Sequence, residues 1–446
     1  MPAEPAVSVT AVSLTAVRRR RPLALAATVA ASALLLAACT SAGTPPPAAA
    51  PPAPASAPAP AEDPLAGITV PDAYTSVTVT PLSSAVMPFP GSDGRYHLAY
   101  DLELTNASAV PATITRIDVV DAANTSRVVA SFSGPDLVQR MRGLPSAPTT
   151  DAGIPAQASK IAFVDFALDD QAAVPRAVLH HLWADAAPSP AVRAPAPVDY
   201  LVAPLSTSAG PPRVIGPPVK GERWVALNGC CLPGFPHRSS LAPLNGELVN
   251  GQRFAIDWKQ LDAQGRFYEG DRTRNESYVD YGSEIIAVAD GTITSILDTL
   301  DANSPGVLPA NDPVLGPQIT VQTVDGNHII QDLGGGTYAF YAHLEKGSLL
   351  VKPGDTVTRG QVIAKLGNTG NANASHMHFQ LMDGPSALGA DGVPYVIDRF
   401  ALRGYLDVEL IADADDYLSG QFPLGGEPQP HTDQLPLAWA IVDFPA

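Results

Sequence analysis

The stretch "HMHF" places His376 and His378 two residues apart in an apolar run. The whole chain of 446 residues holds nine histidines, so two in one strand-like stretch stand out. On a strand, residues i and i+2 share a face, so both imidazoles would project together while Met377 and Phe379 pack on the other side. Such a pair can hold a metal, share a proton or line a groove. Upstream, "CCLPGFPHRSS" holds the adjacent Cys230 and Cys231. Histidine, carboxylate and water are the ligand types of a catalytic zinc site with one open position.

The elements that must position these residues read as β structure. From residue 221 to 403 the chain is rich in short apolar runs and turns, as in "EIIAVADGTITSILD", "YAFYAHLEKGSLLV" and "DTVTRGQVIAKLGNTG". Helical periodicity is scarce there. Residues 65–210 also alternate apolar and polar positions, as in "RYHLAYDLELTNAS" and "ASKIAFVDFALD". Several such strands between turn residues predict an antiparallel, immunoglobulin-like sandwich. His180 and His181 fall inside it with no acidic neighbour in sequence, and read as core or surface packing. The Pro- and Gly-rich stretch around 211–221 predicts a boundary. The expected fold class is therefore all-β: a sandwich at 65–210, a β-sheet domain at 221–403 and a tail at 404–446.

The ordered set "YAHL", "GDTVTRGQ", "GNTG" and "HMHF", preceded by "FAIDW" and "YGSEIIAVADGTI", resembles the LytM/lysostaphin-type zinc metallopeptidases, which cut peptide bonds in peptidoglycan. The resemblance covers roughly residues 252–381. It implies one Zn2+ ion with Asp257 and His378 as ligands, and His343 and His376 as the catalytic histidines that activate water or stabilise the oxyanion. The family's third ligand is a histidine four residues before the Asp, and here that position is Arg253. Arginine stays protonated and has no lone pair for a metal. Three accounts follow. Another residue supplies the ligand, with His237 expected to fold over the groove and the two cysteines as softer candidates. Alternatively, the domain is degenerate and binds wall material or regulates other wall hydrolases. Or Arg253 holds a substrate carboxylate beside an incomplete site. The stretch "VKPGDTVTRGQVIAKLGN" also resembles biotinyl/lipoyl carrier hairpins, but Lys365 lies inside "VIAKLG" and not at a hairpin tip.

The N-terminus predicts export. "RRRR" at 18–21 precedes an apolar run too short to span a bilayer, and "LAAC" at 36–39 resembles the lipobox of bacterial lipoproteins. Cys39 is the expected lipidation site, ending a signal peptide at 1–39 and anchoring the protein to the membrane outside the cytoplasm. The Pro/Ala tract at 40–64 cannot bury apolar surface and reads as an extended tether. The net charge of −17 argues against a nucleic-acid partner. With three cysteines, one of them Cys39, no disulfide framework is expected, and the state of Cys230 and Cys231 is open. The expected partner is peptidoglycan; the oligomeric state is open.

Overall fold

The structure is a computed structural model that describes residues 63–144 and 146–445. Cys39 and nearly all of the Pro/Ala tract lie outside the described residues. Among the described residues, no helix is long and apolar enough to cross a membrane.

The first half carries strands β1 (Val77–Pro81), β2 (Tyr96–Asn106), β3 (Ala112–Asp121), β4 (Asn124–Ser133), β5 (Ser159–Leu168), β6 (Ala177–Ala186) and β7 (Ala196–Thr207). One sheet runs β1-β2-β5 and continues into short strands at 141–143 and 147–148; the other runs β7-β6-β3-β4. Leu98, Tyr100 and Leu102 of β2 and Val164 of β5 pack with Ile117 and Val119 of β3 and Leu182 of β6 in one core. Alternation along each strand sends these residues inward, and the two sheets bury them face to face. His180, expected as packing, is fully buried: its Nδ1–H donates to the Ala203 carbonyl at 2.9 Å and its Nε2 accepts from the Tyr100 hydroxyl at 2.8 Å. His181 pairs at the surface with Asp199, 2.8 Å away.

The second half adds β8 (Gly221–Leu227), β9 (Ile256–Gln260), β10 (Gly291–Leu297), β11 (His328–Asp332), β12 (Tyr338–Ala342), β13 (Met377–Met382), β14 (Phe400–Tyr405) and β15 (Ala440–Phe444). These form one large sheet in the order β10-β11-β12-β13-β9-β8-β15-β14, with short strands at its ends. Neighbours in it are antiparallel. Its central strands are apolar on the buried face: Trp224, Ile256, Trp258, Tyr341, Phe379 and Val442 pack in one core. Each such fully buried side chain contributes about 2–3 kcal/mol.

The segment after residue 403, expected as a tail, completes this sheet. β15 pairs with β8 on one side and β14 on the other. The pattern "AWAIVDF" is a short apolar run whose partners are distant in sequence, so local reading could not seat it. The stretch 269–282 carries mixed charges and aromatics between two elements. Its Asp280 is fully buried, 3.7 Å from the Lys259 ammonium on β9. Lys259 donates to the Ser375 carbonyl and lies over the Tyr278 ring, 4.9 Å from its centroid.

Candidate metal centre and catalytic histidines

Three neighbouring strands meet at the site. Antiparallel register sets Asp257 of β9 opposite His378 of β13, and His378 opposite Ala342 of β12. His343 follows Ala342 directly. Its φ of +61° is a left-handed conformation uncommon for a side-chain-bearing residue,. Two hydrogen bonds hold that backbone, from the His343 N–H to the Asp325 carbonyl and from the Gly367 N–H to the His343 carbonyl, each 3.1 Å. Strain kept in place by its surroundings is common where a side chain must be aimed. His376 sits one residue before β13 begins.

His237 joins these residues although it lies on no strand. Its Nε2 is 3.3 Å from an Asp257 carboxylate oxygen, and its ring centroid is 4.7 Å from that of His378. His237, Asp257 and His378 each offer one ligand atom, all within 4.8 Å of one another, and all three residues are buried. The structure therefore brings together the three residues singled out as metal ligands and sets His343 and His376 beside them, with ring centroids 4.6 Å apart.

Arg253 is elsewhere. An even spacing from Asp257 would put it on the same face only if one strand ran through both. β9 starts at Ile256, and residues 251–254 form a turn. The turn carries Arg253 away, and its guanidinium pairs with Asp101 of the sandwich at 2.8 Å and with Asp391 at 3.3 Å. With a side chain 5% exposed and both partners in place, Arg253 is not free for a substrate carboxylate. Nor does it block the Asp257 carboxylate. Cys230 and Cys231 are joined to each other in a vicinal disulfide, so neither supplies a thiolate.

The hydrogen bonds fix which nitrogen carries the proton in three of the imidazoles. A ring nitrogen facing a carbonyl must donate. His237 Nδ1 faces the Ala255 carbonyl at 3.1 Å, His343 Nδ1 faces that of Thr369 at 2.7 Å, and His376 Nδ1 faces that of Ala374 at 2.9 Å. In all three, Nε2 keeps its lone pair while the ring is neutral. His378 is set the other way. The Gln380 amide nitrogen donates to the Ala387 carbonyl at 3.0 Å, which turns the Gln380 oxygen toward His378 Nε2 at 2.9 Å. His378 Nε2 thus donates, and Nδ1 faces an Asp257 oxygen at 3.0 Å, where a proton on Nδ1 or, in its place, a metal ion would bridge the two. The Asn228 amide donates to the other Asp257 oxygen at 2.8 Å.

Asp257 is consequently met by ring nitrogens of His237, His378 and, at 3.5 Å, His376, with Asn228 as a neutral donor. Imidazoles gathered around a buried carboxylate can share a proton with it or hold a cation against it. Two imidazoles and a carboxylate suit a divalent ion of zinc's ligand preference, and the outer partners that orient them are those a metal site requires. Burial pushes His237 down to about 4, despite the opposing pull of Asp257, and holds His343 well below and His376 below the usual histidine range. Burial opposes ionisation of Asp257, but the surrounding histidines hold its carboxyl well below its usual range. His378 is raised, against burial, by Asp257.

Beside the cluster runs a cleft of about 240 Å³ lined by Asn228, Asp257, Lys259, His376, Asp415 and Trp439, among others. Asn228, Gln380 and Lys259 were not singled out from sequence. Gln380 had a visible signal: it continues the i, i+2 spacing of His376 and His378 on one face.

Residues 277–389 match Peptidase family M23. The matched span includes His343, His376 and His378 but stops short of Asp257 and His237. The chain is 36% identical over 81 residues to the peptidoglycan DD-endopeptidase ShyA of Vibrio cholerae serotype O1 (strain ATCC 39315 / El Tor Inaba N16961). That match covers 17% of this chain and 18% of the relative, so the chain spans less than a fifth of its length. Among solved structures, the catalytic domain of the antimicrobial peptidase lysostaphin from Staphylococcus simulans aligns at 21% identity and a TM-score of 0.21, covering 38% of this chain and 88% of that one. A mutant catalytic domain of the prophage-encoded M23 protein EnpA from Enterococcus faecalis aligns at 16% identity and a TM-score of 0.22, over 39% of this chain and 88% of its own.

Proposed function

We propose, from the match of residues 277–389 to Peptidase family M23, that the protein is a zinc-dependent endopeptidase that hydrolyses peptide bonds of peptidoglycan outside the cytoplasmic membrane. The observation that carries this reading is the convergence of His237 Nε2, Asp257 and His378 Nδ1, each oriented by a hydrogen bond on its far side. It favours a working site over the degenerate alternative, because the ligand type absent at Arg253 is present in His237.

His237, Asp257 and His378 would hold the ion, and zinc when bound supplies a Lewis acid for the scissile carbonyl and a hydrolytic water. His343 and His376 do the proton work. Burial keeps both neutral, and their carbonyl-bound Nδ1–H groups leave Nε2 as a base for the proton of the attacking water. A ring that takes up that proton becomes a donor at Nε2 and can stabilise the oxyanion or pass the proton to the leaving amine. Asn228 and Gln380 keep Asp257 and His378 in register. The cleft beside His376, which Lys259 also lines, receives the peptide.

The anchoring belongs to the same proposal: lipid on Cys39 holds the domain to the membrane, and the Pro/Ala tract lets it reach the wall. Purified protein with its zinc should release new amino termini from purified peptidoglycan, and His376→Ala should abolish the release. Intact wall after prolonged incubation with zinc-loaded protein would overturn the hydrolase reading in favour of a wall-binding one. Cys39→Ser should shift the protein from the membrane fraction to the soluble fraction; no shift would remove the anchor from the account.

A further inference from the structure

His237 and Arg238 are consecutive and point in opposite directions. His237 enters the imidazole cluster. Arg238 enters the sandwich, where it is 1% exposed. Its guanidinium pairs with Asp101 of β2 and Asp165 of β5, and its Nη2 donates to the carbonyls of Tyr100 at 2.9 Å and Val164 at 3.3 Å. All four partners belong to one sheet of the sandwich. Arg253 and Asn250 close the arrangement: both donate to the second Asp101 oxygen, at 2.8 and 3.0 Å, and the Asn250 amide also donates to the Arg238 carbonyl at 3.2 Å.

Every other group of the site is fixed by the large sheet. Asp257 and His378 are on strands, and His343 and His376 are one residue outside them. His237 lies in a stretch of turns between β8 and a short hairpin beginning at residue 242. The disulfide-bonded end of this stretch is held at the Cys230 carbonyl by the Ala438 N–H, 2.9 Å away. At the other end, the charged fixation comes from the sandwich.

We propose that the β-sandwich is a working part of the metal centre: through Arg238, anchored on Asp101 and Asp165, it fixes His237 as the third ligand. This rests on the reading of His237, Asp257 and His378 as a metal site. Arg238 is then a positioning residue, and the exchange is reciprocal. Arg253 has given up the ligand position of the sheet and joined the anchor, while the loop that the anchor holds has supplied the replacement imidazole. Coupling of this kind works both ways. Whatever ties His237 to the sandwich must also let metal binding stiffen the sandwich.

The test uses the full chain, stripped of metal and titrated with Zn2+ against a chromophoric chelator, and separately loaded with Co2+. Arg238→Lys and Asp101→Asn keep partial polar contacts while loosening the anchor. Zinc affinity should fall by about 10–100-fold, the range for groups that orient a ligand. The visible cobalt bands should move toward those of His237→Ala. A folded variant with wild-type affinity and an unchanged cobalt spectrum overturns the inference. Hydrogen exchange on the wild type gives the same decision without any variant. Zinc should slow amide exchange in 96–106 and 159–168 as well as around the site, and protection confined to residues beyond 213 overturns the inference. Wild-type protein that takes up no zinc would overturn the underlying metal-site reading, whereas zinc-replete protein with an indifferent Arg238→Lys overturns the tether alone.

Discussion

Arg253→His recreates the residue that the family resemblance leads one to expect, yet it should not create a ligand. Position 253 lies in the turn before β9, and its side chain leaves toward the sandwich. The substitution should instead weaken the fold. Removing one partner of a buried ion pair costs about 3–5 kcal/mol. Here Asp101 keeps Arg238 and Asn250, and Asp391, a quarter exposed, still accepts from the Asn250 N–H at 3.1 Å. The loss should therefore fall near the lower end, about 3 kcal/mol, or roughly two powers of ten in the folding equilibrium. Denaturant unfolding of the metal-free protein measures it, with zinc content measured alongside. The expected outcome is lower stability and no gain in zinc affinity. Tighter zinc binding or new activity in Arg253→His would refute the reasoning, because it would mean the turn can place residue 253 against Asp257 and that the native site is switched off.

Three further outcomes follow from the same geometry. His378→Ala should lose the metal, whereas His376→Ala should keep it and lose turnover; elemental analysis and peptide release separate the two, and parallel loss of both in each variant would contradict the division of roles. Gln380→Leu should weaken zinc binding by about 10–100-fold by freeing the His378 tautomer, while Gln380→Glu, which still accepts from Nε2–H, should retain it; equal effects of the two would contradict the hydrogen-bond argument. In the sandwich, burial lowers His180 from 6.5 to about 4, so its contribution is complete above pH 6.5 and is lost as pH falls toward 4, by about 3 kcal/mol; unfolding measured across that window should flatten in His180→Gln, and an unchanged slope would contradict the assignment.

The β class and the sandwich-like alternation of residues 65–210 were legible because they depend on local pattern, whereas most of the residues that gather at the site were legible only through the family resemblance. Period-2 spacing set His376, His378 and, unrecognised, Gln380 on one face. The remainder depended on contacts far apart in sequence. β15 joins the sheet beside β8, more than two hundred residues earlier. The buried Asp280 has Lys259 of β9 as its partner, about twenty residues away. The place of Arg253 hinged on where a strand begins, a boundary of a few residues that spacing cannot supply. The burial of Arg238 was invisible for a similar reason: an arginine in a Pro/Ser-rich loop reads as solvated until the Asp101 and Asp165 carboxylates appear opposite it.

The central claim is that His237 replaces the missing ligand. Zinc per chain, determined by elemental analysis after dialysis against zinc-free buffer, tests it most directly. The wild-type protein should retain one equivalent, and His237→Ala, folded and handled identically, should retain almost none. Equal zinc in the two proteins would contradict the account.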